Sequence, residues 1–297
     1  MVVVSYNTQE KLRRCLGCIE PEHEVIVIDN ASSDGSADMV AAEFPTAKLI
    51  RNRNNRGFGA ANNQGIDVST RELILFLNSD AYAEPGAIDH VAREFVSRDI
   101  VAAGGQLLNP DGSRQLSSAG PLTLWAVICE QLYLEKIDPT SRWLSPYWNS
   151  NRIGMTTTPV AQVMGACLMI RPRERFDERF FLYCEDTELC YRLKKHGRIL
   201  YVPEAKFTHD LGSSSADSRW IAIARYNRGK ELFFRLHHGP FSMGTCWLLD
   251  RLGALLRLIA WSVLFVGTGA RNQDRKQKVK MFWKVLTAPF AGPPRPA

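Results

Sequence analysis

Short apolar runs alternate with helix-like segments through the first hundred residues of this chain. Residues 2–6 and 25–29 have the composition of strands, and residues 9–19 between them have that of a helix. The alternation continues as helix, strand, helix and strand over residues 36–44, 48–51, 57–68 and 73–77. Fully apolar strands joined by helices predict a mostly parallel sheet with helices on both faces. We therefore predict an α/β fold.

The charge of the chain separates a C-terminal tail from the rest. The formal net charge over all 297 residues is +6. Residues 225–297 carry 13 Lys and Arg against 3 Asp and Glu, a net +10, so the rest of the chain sums to −4. The length allows one large domain plus an appendage. We predict a folded domain at residues 1–235 and a helical, basic, amphipathic tail at residues 236–297.

The tail mixes these cations with leucine and other large apolar residues, a composition suited to an anionic membrane surface. Its apolar stretch at residues 258–267 is too short to span a bilayer, and an extension back to Leu252 includes Arg257. We therefore predict a helix that lies in the membrane interface, and the alternative is a helix packed on the core. Nucleic acid is not an expected partner.

Seven scattered cysteines indicate a reducing compartment, since an odd and scattered set does not resemble a secreted disulfide framework. Cys15 and Cys18 have redox spacing, but no second pair accompanies them, and we interpret the spacing as chance. The chain begins inside a strand pattern, so we expect no signal peptide; either it starts abruptly or its native start lies a few residues upstream. We predict a cytoplasmic protein, peripheral on the inner face of the plasma membrane.

Polar side chains follow the predicted strands at the points where the strands end. They are Ser5, Tyr6 and Asn7, then Asp29 and Asn30, then Asn78, Ser79 and Asp80. Ligands of parallel α/β sheets bind beyond these carboxyl ends. Later, Glu185 and Asp186 open a helix-like segment, and His209 follows two short strands at residues 199–202 and 205–208. Carboxylates and an imidazole so placed indicate a metal-assisted enzyme acting on a phosphate-containing substrate, although the same residue types are common in turns and helix caps.

Several short motifs in a fixed order carry a resemblance to a known family. They are Val3-Val4-Ser5-Tyr6-Asn7, Val27-Ile28-Asp29-Asn30, Asn55-Arg56-Gly57-Phe58-Gly59, Leu77-Asn78-Ser79-Asp80, Gly165-Ala166, Phe181-Leu182-Tyr183-Cys184-Glu185-Asp186, and His209 with Gly212-Ser213. Over residues 1–235 the chain resembles family 2 glycosyltransferases of the GT-A fold, and most closely the rhamnosyltransferase-like members that build bacterial cell-surface polysaccharide. The resemblance implies a Rossmann-like central sheet, with a nucleotide-sugar half at residues 1–111 and an acceptor and catalytic-base half at residues 112–235.

The same resemblance implies a nucleoside-diphosphate sugar donor, UDP- or dTDP-linked, held with a divalent metal, Mn²⁺ or Mg²⁺. Such an ion stabilises the charge that grows on the diphosphate leaving group. Asp80 and His209 would ligate the ion, and Asn78, which stands where the family often has an aspartate, would hydrogen-bond ribose or a water. The other implied donor-binding residues are Ser5, Tyr6, Asn7, Asp29, Asn55, Arg56, Gly57 and Ser79.

Sugar transfer also needs a base that removes the proton of the acceptor hydroxyl. The resemblance places this base at Asp186, with Glu185 orienting it or competing for the role, and implies one displacement that inverts the anomeric configuration. Two adjacent carboxylates at a helix start are also common without catalysis, because the helix dipole favours them there. Arg192 lies nearly two helical turns later, and a role near the diphosphate stays open.

We therefore predict an inverting, metal-dependent glycosyltransferase that moves a sugar such as rhamnose to a glycan or polyprenyl-linked acceptor in cell-surface polysaccharide synthesis. The alternative is a non-catalytic nucleotide-sugar-binding partner of a membrane polysaccharide assembly complex, and a dehydrogenase is more distant. The aromatic-rich segment at residues 112–158, where the alternation stops, is interpreted either as an acceptor-binding flap or as cover for a core edge.

Overall fold

The computed structural model describes residues 1–148, 154–210, 219–267 and 271–289. The strands are β1 (Val2–Ser5), β2 (Ile26–Asp29), β3 (Lys48–Arg51), β4 (Ile74–Asn78), β5 (Ala81–Ala83), β6 (Ile100–Leu108), β7 (Ser118–Ala119), β8 (Thr158–Val160), β9 (Gln162–Val163), β10 (Cys167–Ile170) and β11 (Arg198–His209). The helices are α1 (Gln9–Gly17), α2 (Ser36–Glu43), α3 (Phe58–Val68), α4 (Ala87–Arg93), α5 (Leu124–Gln131), α6 (Leu134–Ile137), α7 (Glu185–Leu193), α8 (Arg219–Val266) and α9 (Gln273–Thr287). Gly212 and Ser213 of the last sequence motif lie outside the described residues.

One large sheet organises the described part of the chain. Its strand order is β3-β2-β1-β4-β10-β6-β11-β5, and β8 also pairs with β11. The four strands β1 to β4 run parallel to one another, and β6 and β11 form a second parallel pair. β10 lies antiparallel between the two groups. The predicted α/β fold with a mostly parallel sheet is confirmed.

The strand that leads to His209 differs from the prediction. Residues 198–209 form the single strand β11 rather than two short strands. Its pairing with β6 shifts register between Val202 and Lys206, around Pro203. Proline has no backbone N–H to give to the ladder, so the irregularity lets the strand continue past it. The break that the sequence shows is therefore a bulge within one strand.

Helices cover both faces of the sheet, as predicted. On one face, α1, α2 and α4 bury side chains that include Leu12, Val40 and Val91. On the other face, α3 and α7 bury Ala61 and Leu189 against the sheet. The helix that begins with the Glu185-Asp186 motif is thus held rigidly by its apolar side.

The Cys15 and Cys18 pair has no redox character in this fold. Cys15 is fully buried, and burial raises the pKa of its thiol. A reactive Cys-x-x-Cys pair needs a lowered thiol pKa. All seven cysteines are free thiols.

The predicted tail is a helical pair packed on the domain. α8 bends at Gly239, whose φ is 85°, just before Pro240, and α9 packs along it. The predicted boundary at residue 235 therefore falls inside α8. Beyond the bend, Cys246 and Asp250 are buried, and Gln131 of α5 donates a hydrogen bond to Asp250 over 2.9 Å. One face of the tail thus packs on the domain, as the packed alternative predicts, and the membrane interface stays a prediction.

Across residues 1–148, 154–210, 219–267 and 271–289, no helix has both the length and the apolarity that crossing a bilayer requires. The aromatic-rich segment contains β7, α5 and α6. Its Tyr147 is buried, whereas Trp125 and Trp143 are 44% and 78% exposed. The segment thus covers part of the core and also presents aromatic surface.

Candidate active site

The carboxyl ends of β1, β2 and β4 bring the polar candidates of the first half together. β1 pairs in parallel with both neighbours, so that Ser5 lies beside Asp29 and Val4 lies beside Asn78. Asp80 follows two residues after Asn78, the last residue of β4. Because all three strands end on one side of the sheet, these side chains share one edge.

Asp80 and His209 form a pair of candidate metal ligands at this edge. His209 pairs with Ala81 in the contact between β11 and β5, which places it next to Asp80. Its Nε2 atom lies 3.3 Å from Oδ1 of Asp80. This separation fits two adjacent ligands of an ion whose metal–ligand bonds are about 2.1 Å long. A carboxylate and an imidazole together suit an Mn²⁺-like cation.

Gln115 fixes the ring of His209, although no sequence motif marks this residue. Its Nε2 donates to the backbone oxygen of His209, which assigns the amide orientation because a carbonyl oxygen only accepts. Its Oε1 then accepts from Nδ1 of His209 over 3.0 Å. In the neutral imidazole the lone pair of Nε2 then faces Asp80 and Asn78, whose Nδ2 lies 3.3 Å away. A histidine that binds a metal through Nε2 adopts this tautomer, because its other ring nitrogen, Nδ1, carries the proton and donates it in a hydrogen bond.

Lys11 of α1 adds a positive charge beside the pair. Its Nζ lies 3.9 Å from Oδ2 of Asp80 and 3.1 Å from Oδ2 of Asp210. Asp210 in turn donates its backbone N–H to the backbone oxygen of Asp80 over 2.9 Å. Lys11 and Asp210 were both missed in the sequence, since a lysine on the first helix has no distinctive local pattern.

Asp29 offers an open acceptor at the end of β2. The residue is only 4% exposed, and its Oδ2 accepts from the backbone N–H of Ser32 over 3.1 Å. Its Oδ1 is buried without a hydrogen-bond partner among the described residues. An unpaired buried carboxylate oxygen costs free energy, so this atom is suited to accept a hydrogen bond from a ligand.

Asn30 holds the loop that carries Asn55, Arg56 and Gly57. Its Nδ2 donates to Oδ1 of Asn55 over 2.9 Å, and its Oδ1 accepts from the backbone N–H of Arg56 over 3.0 Å. Gly57 has φ of 89°, and a Cβ there would lie 2.6 Å from the backbone oxygen of Phe181. Glycine is therefore required where this loop meets the segment that leads to Asp186.

Ser5 and Ser79 are joined by Thr8. The hydroxyls of Ser5 and Thr8 are 3.0 Å apart, and Thr8 donates to Ser79 over 2.9 Å. Ser5 is fully buried, so its hydroxyl braces β1 against the end of β4. Sequence analysis did not identify Thr8 as the link.

Tyr6 and Asn7 directly follow Ser5, the last residue of β1. Asn7, with φ of 54°, accepts on its Oδ1 from the backbone N–H of Ser33 over 2.8 Å. It therefore holds the loop after β2 in place. Tyr6 is 39% exposed and is the aromatic side chain of this motif that a ligand can reach.

Asp186 is held at the start of α7 by backbone donors. Its Oδ2 accepts from the N–H of Gly165 over 2.8 Å, and its Oδ1 accepts from the N–H of Thr187 over 2.7 Å. A Cβ at Gly165 would lie 3.2 Å from Oδ2 of Asp186, a contact that is tighter than usual, so a larger residue would press on the carboxylate. The carboxylate is half-buried and fixed in direction.

Glu185 is the more deeply buried member of the carboxylate pair. It is 6% exposed, and its Oε2 has no hydrogen-bond partner among the described residues. Burial, aided by the neighbouring charge of Asp186, raises the pKa of Glu185 to about 8. Burial also raises the pKa of Asp186, although the N–H groups of Gly165 and Thr187 act in the opposite direction. Near neutral pH, Glu185 is therefore mainly protonated and Asp186 is the better placed base.

The turn before α7 is conformationally strained. Tyr183 and Cys184 both have positive φ, 73° and 66°. Such a conformation costs free energy in residues other than glycine and is often retained at functional sites. The turn aims the first residues of α7 toward the Gly165 loop.

Arg192 does not belong to this site. Its guanidinium lies 2.7 Å from Glu188 and 2.5 Å from Glu174. These two carboxylates compensate the charge of Arg192 near the C-terminal end of α7. The structure therefore does not support a role for Arg192 in binding the diphosphate.

A further cluster of possible metal ligands lies elsewhere. Glu22, His23 and Asp89 have ligand atoms within 4.8 Å of one another. The loop that carries Glu22 leads into the start of β2, which is the opposite edge of the sheet from Asp80. Glu22 and Asp89 are exposed, and exposed acidic groups are common on protein surfaces without a bound ion, so we assign no metal to this cluster.

The family model of glycosyl transferase family 2 matches residues 1–173, more than half of the chain. N-acetylglucosaminyl-diphospho-decaprenol L-rhamnosyltransferase of Mycobacterium tuberculosis is 28% identical over 309 aligned residues, covering 95% of this chain and 96% of that protein. The pre-mycofactocin glycosyltransferase of the same organism is 22% identical and covers 91% of this chain and 53% of its own length.

Two solved structures share the fold. The mannosyltransferase PcManGT of Pyrobaculum calidifontis, in complex with GDP-Man and Mn²⁺, has a TM-score of 0.53 at 13% identity, covering 96% of this chain and 86% of its own. GalNAc-T7, with UDP, GalNAc and Mn²⁺, also has a TM-score of 0.53 at 13% identity, covering 95% of this chain and 55% of its own. The family match and the shared fold agree with the motifs at the sheet edge, and the chain therefore belongs to glycosyl transferase family 2 as a glycosyltransferase of the GT-A fold.

Proposed function

We propose that this chain is an inverting, metal-dependent glycosyltransferase that moves rhamnose or a related sugar from UDP or dTDP to a lipid-linked glycan. The observation that carries the proposal is the pairing of Asp80 with His209, whose tautomer Gln115 fixes. The mycobacterial relative is named for an L-rhamnosyl transfer and a diphospho-decaprenol acceptor, which supports this sugar and this acceptor class. The product would enter cell-surface polysaccharide.

In this proposal the donor lies across the ends of β1, β2 and β4. Oδ1 of Asp29 accepts a hydrogen bond from the base or ribose, and Tyr6 contributes an exposed ring beside it. Asp80 and His209 would hold a divalent ion, which would supply Lewis acidity to the diphosphate leaving group. Lys11 adds a positive charge at the same place.

The loop that Asn30 braces closes the donor site from the other side. Asn55, Arg56 and Gly57 approach the donor on this loop, next to the segment that leads to α7. The position of the loop thus couples the donor site to the catalytic carboxylate.

Asp186 acts as the base on the acceptor. It takes the proton from the acceptor hydroxyl while the hydroxyl oxygen bonds to the anomeric carbon and the diphosphate oxygen leaves with its electron pair. The N–H groups of Gly165 and Thr187 keep the carboxylate in one orientation, which lowers the cost of reaching the reactive geometry. A single displacement of this kind inverts the anomeric configuration. Glu185 is mainly protonated near neutral pH and so does not compete for the proton.

The test is the thermal stability of the purified protein with nucleoside diphosphates and nucleotide sugars, each with Mn²⁺, Mg²⁺ or chelator. We expect UDP or dTDP compounds to raise the melting temperature only when a divalent ion is present. Product analysis with the stabilising donor then checks transfer and anomeric inversion. Stabilisation without transfer to any lipid-linked glycan would favour the non-catalytic alternative.

We also propose that the protein lies on an anionic membrane, on its cytoplasmic side. Beyond the bend of α8 the exposed apolar side chains are Phe241, Leu248, Leu252, Leu255, Leu256, Ile259, Val263, Leu264 and Val266. α9, which packs along α8, carries Arg275, Lys276, Lys278, Lys280 and Lys284. Exposed apolar side chains beside cations are typical of interfacial helices.

A further inference from the structure

A cavity of about 320 Å³ runs along one side of α7. The residues that line it include Thr187 and Tyr191 of α7, Lys194 and Lys195 at and just after the C-terminal end of that helix, and Leu122 and Phe233. Thr187, Tyr191 and Lys194 are spaced by four and three residues, so they follow one side of the helix to its C-terminal cap. Leu122 and Phe233 are apolar, and the ring centroid of Phe233 lies 5.2 Å from that of Tyr191. The lining thus combines hydroxyl groups, two lysines and apolar side chains.

One end of the cavity adjoins the catalytic carboxylate. Thr187 directly follows Asp186 and donates its backbone N–H to Oδ1 of that residue over 2.7 Å. The hydroxyls of Thr187 and Tyr147 are 3.4 Å apart, and Gln162 donates to Tyr147 over 2.7 Å. From Asp186 to Lys194 the helix rises about 12 Å. The cavity therefore leads from the base to two lysines along the length of α7.

The two lysines are not compensated by carboxylates. Lys194 and Lys195 are exposed, and in the described part of the chain neither forms an ion pair. Lys195 instead lies 5.2 Å from the ring centroid of Tyr191. Arg192, on the same helix, is fully paired with Glu188 and Glu174. A helix C-terminus favours lysine by its dipole, but the dipole does not account for an apolar-walled cavity that joins these lysines to the base.

We propose that this cavity binds the lipid-diphosphate part of the acceptor. This proposal rests on the proposed function, and it assigns the acceptor a place: the sugar hydroxyl at Asp186, the diphosphate at Lys194 and Lys195, and the first apolar units of the chain against Leu122 and Phe233. Ammonium groups bind phosphate oxygens through charge-assisted hydrogen bonds. The site is separate from the donor diphosphate, which belongs to Asp80 and His209 at the ends of the strands.

The test uses farnesyl diphosphate as a probe, titrated into the full chain with chelator present, so that the donor metal site does not contribute. We expect Lys194→Gln with Lys195→Gln to weaken its binding by about tenfold or more. The matched control is Arg93→Gln with Arg98→Gln, which removes the same charge from exposed positions outside the tail and should leave the affinity unchanged. Farnesol should bind equally weakly to all three proteins, and inorganic pyrophosphate should compete with farnesyl diphosphate.

Equal loss in the lysine and the arginine double variants would overturn the proposal, because it would mean a general charge effect. Equal affinity in all three proteins would overturn it as well. In transfer assays the Lys194 and Lys195 double variant should raise the KM for the lipid-linked acceptor and leave kcat and donor affinity unchanged. Failure of nucleotide sugars to bind in the presence of metal would instead refute the proposed function, so the two failures are distinguishable.

Discussion

The backbone N–H of Gly165 donates to Oδ2 of Asp186 over 2.8 Å, and a side chain on that glycine would come within 3.2 Å of the same oxygen. The carboxylate of Asp186 is thus positioned by a residue at which a methyl group would make a tight contact with it. Gly165 stands next to β10 in the centre of the sheet, and Asp186 stands on α7, which packs on one sheet face. The contact couples the base directly to the rigid part of the fold.

Replacement of the base separates transfer from donor binding. We expect Asp186→Asn to lower kcat by about 10²- to 10⁴-fold, the usual contribution of a general base, with donor affinity unchanged. Gly165→Ala should lower kcat less, because it moves the carboxylate without removing it. Single-turnover rates and nucleotide titrations measure both effects. Wild-type kcat in Asp186→Asn would show that another group accepts the proton.

The metal site is tested by Asp80→Ala and Gln115→Leu. We expect Asp80→Ala to abolish the dependence of nucleotide affinity on Mn²⁺. Gln115→Leu leaves both ligands in place but releases the His209 ring, so metal affinity should fall about 10- to 100-fold. Asp89→Ala is the matched control, since it removes a carboxylate from the cluster at the opposite sheet edge. Calorimetric titration of Mn²⁺ and UDP measures these changes, and a loss in Asp89→Ala that equals the loss in Asp80→Ala would contradict the assignment.

Glu185 makes the folded state sensitive to pH. Its pKa is raised from 4.5 to about 8 by burial, so between these values the folded protein keeps a proton that the unfolded chain has lost. The free energy of unfolding should therefore decrease as pH rises from about 4.5 to 8, by at most about 1.4 kcal/mol per pH unit. In Glu185→Gln this decrease should be smaller, because the amide does not ionise.

Chemical denaturation at several pH values, with chelator present, measures this slope. Glu84→Gln, at an exposed position, should keep the wild-type slope. If Glu185→Gln and Glu84→Gln show the same slope as the wild type, the carboxyl of Glu185 does not stay protonated in the fold.

Membrane binding is tested with one substitution at two exposed valines. Val263 on α8 is 66% exposed and Val96 on the domain surface is 87% exposed. We expect Val263→Asn to reduce sedimentation with phosphatidylglycerol vesicles, because burying a valine side chain in the interface contributes about 1.5 kcal/mol or more. Val96→Asn should bind like the wild type, and high salt should weaken binding of both. Equal binding by the two variants would place the contact elsewhere.

Truncation of the tail is not an equivalent experiment, because a buried ion pair joins its helices to the domain. Nζ of Lys230 lies 2.7 Å from Oδ1 of Asp250 and 3.3 Å from Oε2 of Glu130. Burial lowers the pKa of this ammonium, but the two carboxylates raise it above its usual value. Removal of residues beyond the bend would leave Lys230 buried with one remaining partner.

Asp250→Ala should therefore destabilise the protein strongly. The expected decrease in the free energy of unfolding is about 3–5 kcal/mol, the usual cost of breaking a buried pair on one side. Lys230→Met combined with Asp250→Leu should recover much of this loss. Asp274→Ala, which removes an exposed partner of Lys278, should change stability by less than about 1 kcal/mol. Urea denaturation gives all three values, and similar losses in Asp250→Ala and Asp274→Ala would show that burial does not strengthen the pair.

The sequence by itself determined the class of fold and the edge of the sheet at which the candidate donor-binding residues lie. The alternation of apolar strands with helices identified β1 to β4, and the polar residues after those strands are the ones that meet at one edge. These features are local, because periodicity and strand ends depend on neighbouring residues. The same is true of Asp186 at the start of α7 and of the cations in the tail.

The tertiary structure decided which distant residues complete each group. His209 reaches Asp80 only because β11 pairs with β5, and its tautomer depends on Gln115, 94 positions away in the chain. Asn30 braces a loop that lies 25 residues further on. The tail packs on α5 through Asp250, a choice between a surface helix and a packed helix that its composition had left open. Contacts of this range leave no periodic trace in the sequence, since they depend on the order of strands in the sheet and on the packing of helices over it.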